Sequence, residues 1–186
     1  MNRCPKIRQS IYQMVDSIKP FDEVEQEHID FVKSWITSGA ELFRFEKPNR
    51  PNIHLVSYFV VLDNQRKKCL LVDHKKASLW LPTGGHVEID EHPEDTVKRE
   101  IVEELDIEAD FLFAEPFFLT LTKTIGDRVP HTDVSFWYVL KGDSCKCLNY
   151  DKEEFHQICW FDWDSIPYEH SDPCMDRFVQ KMSPYL

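Results

Sequence analysis

The segment from residue 93 to residue 105 constrains the fold most, because two different sets of residues recur in it at helical spacing. The apolar set steps by four residues and comprises Val97, Ile101 and Leu105. The acidic set is spaced three and four residues apart and comprises Glu100, Glu103 and Glu104. Side chains at these separations leave a helix on the same side. The sequence therefore predicts a helix from Pro93 to Leu105 with one apolar face toward a core and one acidic face.

The acidic face brings three carboxylates together on about one turn. Arg99 precedes Glu103 by four residues, but one surface arginine offsets only part of the repulsion. An ordinary solvated face is the alternative interpretation, since this chain is rich in acidic residues. Such a face would have lysines among the glutamates, whereas here the like charges converge. The arrangement favours a site for a hard divalent cation, because Mg²⁺ takes carboxylate oxygens, keeps waters and bridges to phosphates.

These residues resemble the signature of the Nudix hydrolase family. The signature is a glycine, five residues, a glutamate, seven residues, Arg-Glu, an apolar residue, any residue, Glu-Glu, any residue, a glycine and an apolar residue. The matching residues are Gly85, Glu91, Arg99, Glu100, Ile101, Glu103, Glu104 and Ile107. Asp106 replaces the last glycine. Asp tolerates the left-handed conformation expected there, so the replacement should cost some stability without removing a ligand.

The resemblance covers about residues 52 to 165, including the segment 80–85 and the pair Trp160-Phe161. It implies an α/β class fold, an α/β/α sandwich with a mixed β-sheet in which the signature forms a loop, a helix and a loop. The residue pattern agrees with this fold. It predicts strands at residues 54–62, 69–73, 111–124, 133–140 and 158–161, and a last helix at about 173–182.

Residues 1–45 lie outside the resemblance and are predicted to form two helices. Pro20 separates them, Asp22 and Glu25 resemble a capping box at the start of the second, and Gly39 suits its end. We expect an N-terminal helical extension (1–45) packed on a Nudix hydrolase domain (46–186). A homodimer contact or a lid is the alternative use of the extension.

By resemblance, Glu100, Glu103 and Glu104 would ligate Mg²⁺, or alternatively Mn²⁺, and the Gly84 backbone would add a further ligand. Glu100 can equally act as the base that takes a proton from the attacking water. Arg99 would orient the glutamates, with Glu91 as one partner, although a purely structural arginine is the alternative. Gly85 would approach phosphate, the alternative for both glycines being a plain tight turn.

Outside the signature the candidates are weaker, and each has an ordinary loop residue as its alternative. Glu154 stands where many relatives carry a further acidic residue, but Glu153 is its neighbour. Asp133, in the run His131-Thr132-Asp133, is placed to reach the site, and Lys123 or Arg128 to neutralise a phosphate. The remaining expectations are ordinary loop positions for His54, His74, His86 and His92, and core positions rather than a base-stacking platform for Phe117, Phe118, Trp137 and Tyr138.

Composition limits the partners. The formal net charge of −11 argues against binding duplex nucleic acid, and no apolar run is long enough to span a membrane. The start of the chain does not resemble a signal peptide, so we expect a cytoplasmic protein. Its six cysteines are scattered, which favours reduced thiols. Cys145 and Cys147 near His156 hint at zinc, but exposed loop thiols are the favoured interpretation because no second pair follows.

The resemblance implies a pyrophosphohydrolase that cleaves the diphosphate linkage of a nucleoside diphosphate derivative with metal-activated water. A nucleoside triphosphate or an oxidised nucleotide is the favoured small-molecule substrate, and ADP-ribose or a sugar nucleotide is the near alternative. A non-catalytic nucleotide-binding regulator on the same fold is a hypothesis of another class. It is disfavoured because every signature glutamate is present. An mRNA-processing hydrolase is a third hypothesis, against which the acidic balance counts.

Overall fold

The computed structural model describes residues 5–46, 50–124 and 130–186. Within them the helices are α1 (Pro5–Ser17), α2 (Glu23–Thr37), α3 (Pro93–Leu105) and α4 (Met175–Met182), with short 3₁₀ turns at Tyr168–His170 and Ser183–Tyr185. The predicted bounds of α3 are confirmed at both ends. His92 caps its start by accepting a hydrogen bond from the Glu94 N–H, and Asp106 ends it in the left-handed conformation, with φ 54° and ψ 39°.

The strands of the described residues form a mixed seven-stranded sheet. They are β1 (Ile53–Asp63), β2 (Lys68–His74), β3 (Leu79–Leu81), β4 (Thr83–His86), β5 (Phe118–Thr124), β6 (His131–Lys141) and β7 (Phe155–Asp162). The order is β3-β2-β1-β6-β5, with β4 paired to β1 and β7 paired to β2. The β1–β6 pair is parallel and the other pairs are antiparallel. β1 lies at the centre, so it contacts both β4 and β6 near the signature.

The prediction of one long strand over residues 111–124 was wrong in its first half. β5 begins only at Phe118, because Pro116 has no N–H to donate to a ladder. Upstream of it the chain follows β6 through single contacts, such as the Leu112 N–H donating to the Val139 carbonyl at 2.8 Å. The 54–62 and 69–73 strands are found, each slightly longer than predicted. β3 and β4 are too short for residue periodicity to indicate them.

Helices cover both faces of the sheet, which confirms the α/β/α sandwich. One apolar cluster joins α1, α2 and α3 to one face through residues such as Ile11, Val32, Ile101 and Phe136. A second cluster joins α4 to the other face and includes Phe178 and Trp137. The aromatic residues Phe117, Phe118, Trp137 and Tyr138 are buried, so the core interpretation is confirmed and they offer no open stacking platform.

A buried glutamate ties the N-terminal helices to the rest of the chain. Asp22 caps α2 by accepting from the Glu25 N–H at 2.8 Å, but the Glu25 side chain accepts from the Phe21 N–H, one residue earlier than in a capping box. Glu25 is fully buried and also accepts from the Leu119 N–H of β5 and from Lys181 Nζ of α4, at 3.1 and 2.8 Å. One side chain of the N-terminal segment therefore contacts two elements beyond residue 46.

Two further expectations bear on location and redox state. None of the described helices is long and apolar enough to cross a membrane. In the described part of the chain, the thiols of Cys69, Cys145, Cys147, Cys159 and Cys174 are free. Cys145 and Cys147 are exposed and form no metal-ligand group with His156 among the described residues.

Candidate active site and a neighbouring histidine cluster

The α3 helix places its acidic face against the end of β4. Ser57 of β1 donates through Oγ to the Pro93 carbonyl at 2.9 Å, which fixes the start of α3 over the sheet. Near the other end of α3, the Glu104 carboxylate reaches the sheet and accepts a hydrogen bond from the Gly84 N–H at 3.0 Å. Glu104 is only 4% exposed, so one carboxylate of the acidic face is buried against the backbone of β4.

Burial and neighbouring carboxylates act on Glu104 in the same direction. Its pKa is raised well above the usual value by burial first, and then by the negative charges of Glu100 and Glu154. The pKa of Glu100 is raised as well, chiefly by burial, although Arg99 opposes the shift. A buried and a half-buried carboxylate in this position are costly to ionise together unless a cation lies between them.

Two adjacent glycines allow β4 to lie close to its neighbours, Gly84 to β1 and Gly85 to α3. Gly84 has φ +140°, and a Cβ there would lie 2.1 Å from the Ser57 carbonyl oxygen. At Gly85 a Cβ would lie 2.1 Å from Oε1 of Glu100. Gly84 is therefore required by its own positive φ and by the β1 backbone beside it. The missing side chain of Gly85 leaves room for the Glu100 carboxylate.

Arg99 holds the loop before α3, and its predicted partner Glu91 is found. Arg99 Nε and Nη2 donate to the two Glu91 oxygens, each at 3.0 Å, and Nη1 donates to Glu100 at 2.6 Å. Glu91 also accepts from Thr96 Oγ1 at 2.8 Å and from the Glu88 N–H at 2.9 Å. The hydrogen bonds that Arg99 donates to Glu91 and Glu100 raise the pKa of Arg99, so the guanidinium stays charged. This bidentate pair fixes both the loop and the Glu100 carboxylate.

The other acidic candidates lie farther out. Glu103 is 59% exposed, and its carboxylate comes no closer than 3.5 Å to Arg99 Nη1. Glu154 lies 3.3 Å from His74 Nε2 and raises the pKa of both Glu100 and Glu104, whereas Glu153 is exposed. Of this neighbouring pair, the structure brings Glu154 toward the signature glutamates.

The donor set fits Mg²⁺ but is not a closed cage. Carboxylate oxygens are the ligands that this ion prefers. The pKa of Glu104 is raised, so a positive charge beside it would stabilise its ionised form. However, no three of these carboxylates in the described part of the chain have oxygens within 4.8 Å of one another. Glu104 is held by Gly84, Glu100 by Arg99, and Glu103 faces solvent. An ion would draw together groups that now repel each other.

A second group of titratable side chains lies across the sheet from α3. His54 of β1, His86 of β4, and His131 and Asp133 of β6 each bring one ligand atom within 4.8 Å of the others. His54 lies on β1, as the strand predicted over residues 54–62 implied, and His74 and His86 are the last residues of β2 and β4. The expectation of ordinary loop positions for these three histidines was wrong. The register pairs His54 with Asp133 and Val56 with His86, which places these side chains on one face. The two-residue spacing of His131 and Asp133 on a strand was the signal in the sequence.

Asp133 therefore lies in the histidine group, on the sheet face opposite the one that α3 covers. The positions of the two basic candidates are less informative. Lys123 is exposed at the end of β5, and Arg128 lies outside the described residues.

The pKa values of His86 and Asp133 in the histidine group are both shifted downward. Burial, followed by the nearby positive charge of Arg44, lowers the pKa of His86 to about 3. Burial alone raises the pKa of Asp133, but the interactions with His54, His131 and His86 outweigh it, so the net shift is downward. At neutral pH the group thus combines a carboxylate with a neutral His86 beside an arginine.

The described fold is shared with several solved structures. A NUDIX family hydrolase from Clostridium perfringens superposes with a TM-score of 0.56 at 18% identity, covering 72% of this chain and 98% of that one. A MutT protein from Methanosarcina mazei gives 0.57 at 16% identity, covering 76% and 97%. The dihydroneopterin triphosphate pyrophosphohydrolase of E. coli gives 0.53 at 14% identity, covering 75% and 98%. These likenesses show the fold.

No curated protein sequence matches the chain significantly. The sequence model of the NUDIX domain matches residues 53–182, which is more than half of the chain and includes all of α3 and the β4 edge. The signature carboxylates on α3, the glycine that makes room for Glu100 and the family match agree, and the chain belongs to the NUDIX family.

Proposed function

We propose that the chain is a Mg²⁺-dependent pyrophosphohydrolase that cleaves the diphosphate linkage of a nucleoside diphosphate derivative. The single observation that carries the proposal is the buried Glu104 carboxylate, whose pKa is raised by burial and by the charges of Glu100 and Glu154. Natural chains rarely keep such a group without a compensating cation or a catalytic use for it. The family match supports hydrolysis as that use.

Glu100, Glu103, Glu104 and the Gly84 backbone are the groups that would hold Mg²⁺ or Mn²⁺. When bound, such an ion polarises a phosphoryl group and lowers the pKa of a coordinated water. Arg99 keeps Glu100 in place by a 2.6 Å hydrogen bond and is itself fixed by Glu91. Gly85 has no side chain, so a phosphate can approach the backbone of β4 there.

Two carboxylates are candidates for the base that takes the proton of the attacking water. Glu100 is half-buried beside Arg99, which favours the ionised form of Glu100 and so weakens it as a proton acceptor. Glu154 is 37% exposed and contacts only the His74 ring at 3.3 Å among the ion pairs of the described residues. Replacing each in turn by glutamine separates them, because loss of the base removes the acidic limb of the pH–rate profile while loss of a ligand weakens metal affinity.

The favoured substrate class is a nucleoside triphosphate or an oxidised nucleotide. One similar structure is a triphosphate pyrophosphohydrolase, and likeness at this identity supports the class without deciding it. ADP-ribose and sugar nucleotides are the alternative diphosphates. The buried aromatic residues offer no stacking platform, so base recognition falls to the loops around the site. A nucleotide-binding regulator is disfavoured because the glutamates, Arg99 and both glycines are all present.

The test is a phosphate-release screen of purified full-length protein with Mg²⁺ and with Mn²⁺. The panel comprises canonical and oxidised nucleoside triphosphates, ADP-ribose, sugar nucleotides and dinucleoside polyphosphates, with added phosphatase where the product needs it. Metal-dependent turnover of one class is expected and names the substrate. Silence across the panel from folded, metal-binding protein would favour the regulator.

A further inference from the structure

The histidine group is distinct from the signature carboxylates in place and in chemistry. It consists of His54, His86, His131 and Asp133, at the ends of β1, β4 and β6. His54 and His131 are buried, at 0% and 6% exposure, and their rings stack with centroids 5.2 Å apart. The His54 and His86 ring centroids are 4.9 Å apart. Three imidazoles around one carboxylate form a nitrogen-rich donor set, unlike the all-oxygen set on α3.

The hydrogen bonding of His54 leaves its second nitrogen aimed into the group. Nδ1 lies 2.9 Å from the Pro51 carbonyl, which can only accept, so Nδ1 carries the proton. Nε2 of a neutral ring then presents a lone pair, and the atom it faces is Oδ1 of Asp133 at 3.3 Å. This nitrogen is buried and makes no hydrogen bond of acceptable geometry. A buried nitrogen lone pair without a donor calls for a proton or a cation beside it.

The distances favour a metal ion over a proton. A charge-assisted hydrogen bond between imidazolium and carboxylate is about 2.7–2.9 Å long, shorter than the gap here. Nε2 of His54 and Nε2 of His131 each lie 3.3 Å from Oδ1 of Asp133. In a tetrahedral zinc site with bonds of about 2.0–2.1 Å, neighbouring ligand atoms are about 3.3 Å apart.

We infer that His54, His86, His131 and Asp133 form a site for a divalent transition-metal cation of the zinc class, separate from the Mg²⁺ site on α3. Imidazole nitrogens suit zinc and cobalt, whereas Mg²⁺ prefers oxygen ligands, so the two sites differ in ion as well as position. The Pro51 carbonyl orients His54 as an outer-shell partner orients a metal-bound histidine.

In the metal-free form of this site, Arg44 contacts the His86 nitrogen that an ion would need. Its Nη1 lies 3.2 Å from Nε2 of His86, and a guanidinium only donates, so that nitrogen now accepts from Arg44. A neutral His86 has one lone pair, and it cannot serve Arg44 and an ion together. Metal binding therefore requires Arg44 to release His86, and the two cations compete for one place.

Occupancy of the site would act on the neighbouring signature. The His86 carbonyl accepts from Arg99 Nη2 at 3.4 Å, and the preceding residue, Gly85, lies against Glu100. An ion on His86 would hold the end of β4 on which both contacts depend. The site is thus placed to stiffen the entrance to the signature loop without supplying any of its carboxylates.

The test is titration of chelator-treated full-length protein with Co²⁺ in the presence of excess Mg²⁺, followed by visible absorption. Tetrahedral cobalt with nitrogen ligands absorbs strongly, whereas cobalt on the oxygen ligands of α3 does not. A single equivalent of Co²⁺ should give the strong bands, and Zn²⁺ should displace them. Metal content after dialysis against Zn²⁺ provides an independent readout.

Variants assign the bands to these residues. Asp133→Asn and His86→Gln should weaken Co²⁺ binding by more than about a hundredfold, which exceeds the loss expected for an outer-shell partner. The matched control, His156→Gln, replaces an exposed histidine and should change nothing. Arg44→Met should tighten Co²⁺ binding by removing the competing cation. Glu104→Gln should leave the bands intact, because it belongs to the other site.

Three results would overturn the inference, two of them spectroscopic. One is weak, octahedral-type absorption from folded protein with no Zn²⁺ retained. The other is strong bands that persist in both ligand variants. Circular dichroism in chelator establishes folding for each variant, and His86→Gln serves if Asp133→Asn does not fold, since His86 is half-exposed at the end of its strand. If Arg44→Met weakens binding, Arg44 and the histidines form a polar network around Asp133 instead. The failure of this inference and the failure of the proposed hydrolysis are distinguishable, because these readouts measure metal binding and the phosphate-release screen measures turnover.

Discussion

Replacing Gly85 by alanine should remove activity while leaving the fold intact. The new Cβ would lie 2.1 Å from Oε1 of Glu100, whereas ordinary contact begins at 3.4 Å. The carboxylate must therefore retreat by about 1.3 Å, since it is the flexible partner. Its hydrogen bond from Arg99, now 2.6 Å, would lengthen or break. A misplacement of about 1 Å in a catalytic group costs on the order of a hundredfold in rate.

Gly84→Ala is the matched control, because the same methyl group is added one residue earlier. There the obstacle is the Ser57 carbonyl oxygen of β1, also at 2.1 Å, and φ is +140°. A backbone atom cannot step aside, so this change should cost about 1–3 kcal/mol or more of stability and disturb the β1–β4 pair. The two neighbouring substitutions should thus separate, one lowering turnover and the other lowering the melting temperature.

The assay compares kcat/KM with the substrate found by the screen, Mn²⁺ affinity by electron paramagnetic resonance, and thermal unfolding. A double variant of Gly85→Ala with Glu100→Gln should be no slower than Glu100→Gln alone, since both act through one carboxylate. The reasoning would be refuted if Gly85→Ala kept full activity, or if it melted as early as Gly84→Ala.

Three further predictions concern stability. Burial alone raises the pKa of Asp63, but hydrogen bonds from Ser144 and Arg66 outweigh it and hold the pKa below 3.8, so its contribution is present above that pH and lost below it. Asp63→Asn should cost about 1–3 kcal/mol at pH 7 in denaturant unfolding, and the difference from the parent should shrink as the pH falls below about 3.8. Lys181→Met leaves the carboxylate of Glu25 buried without its cation and should cost about 3–5 kcal/mol, part of which Glu25→Gln in the same chain should restore; full additivity would contradict the contact. Asp106→Val should lower stability by about 1–2 kcal/mol because φ is 54°, whereas equal melting temperatures would deny the left-handed conformation.

The sequence predicted most of α3 and its surroundings because their residue choices are local. A helical period, a proline at the start and a residue tolerant of φ 54° at the end define the helix without tertiary information. The pairing of Arg99 with Glu91 followed from charge and from the family signature. The same holds for the strands with long apolar runs, β1 and β6.

What the sequence did not predict depends on register between distant strands. The histidine group forms because β1 and β6 run parallel with His54 opposite Asp133, a pairing that no local pattern contains. The burial of Glu104, compared with the exposure of Glu103 next to it, depends on how α3 sits on β4. The tie from Glu25 to Lys181 joins the two ends of the chain and has no local signal either.

The central claim is that the α3 carboxylates bind the metal on which turnover depends. Its most direct measurement is Mg²⁺-dependent turnover by Glu104→Gln, with Glu153→Gln as the matched exposed control. Glutamine keeps an oxygen to accept from the Gly84 N–H, so the fold should persist and metal-free protein should melt no earlier than the parent. We expect turnover and Mg²⁺-induced stabilisation to be nearly abolished in Glu104→Gln and unchanged in Glu153→Gln. Undiminished Mg²⁺-dependent turnover by folded Glu104→Gln would contradict the account.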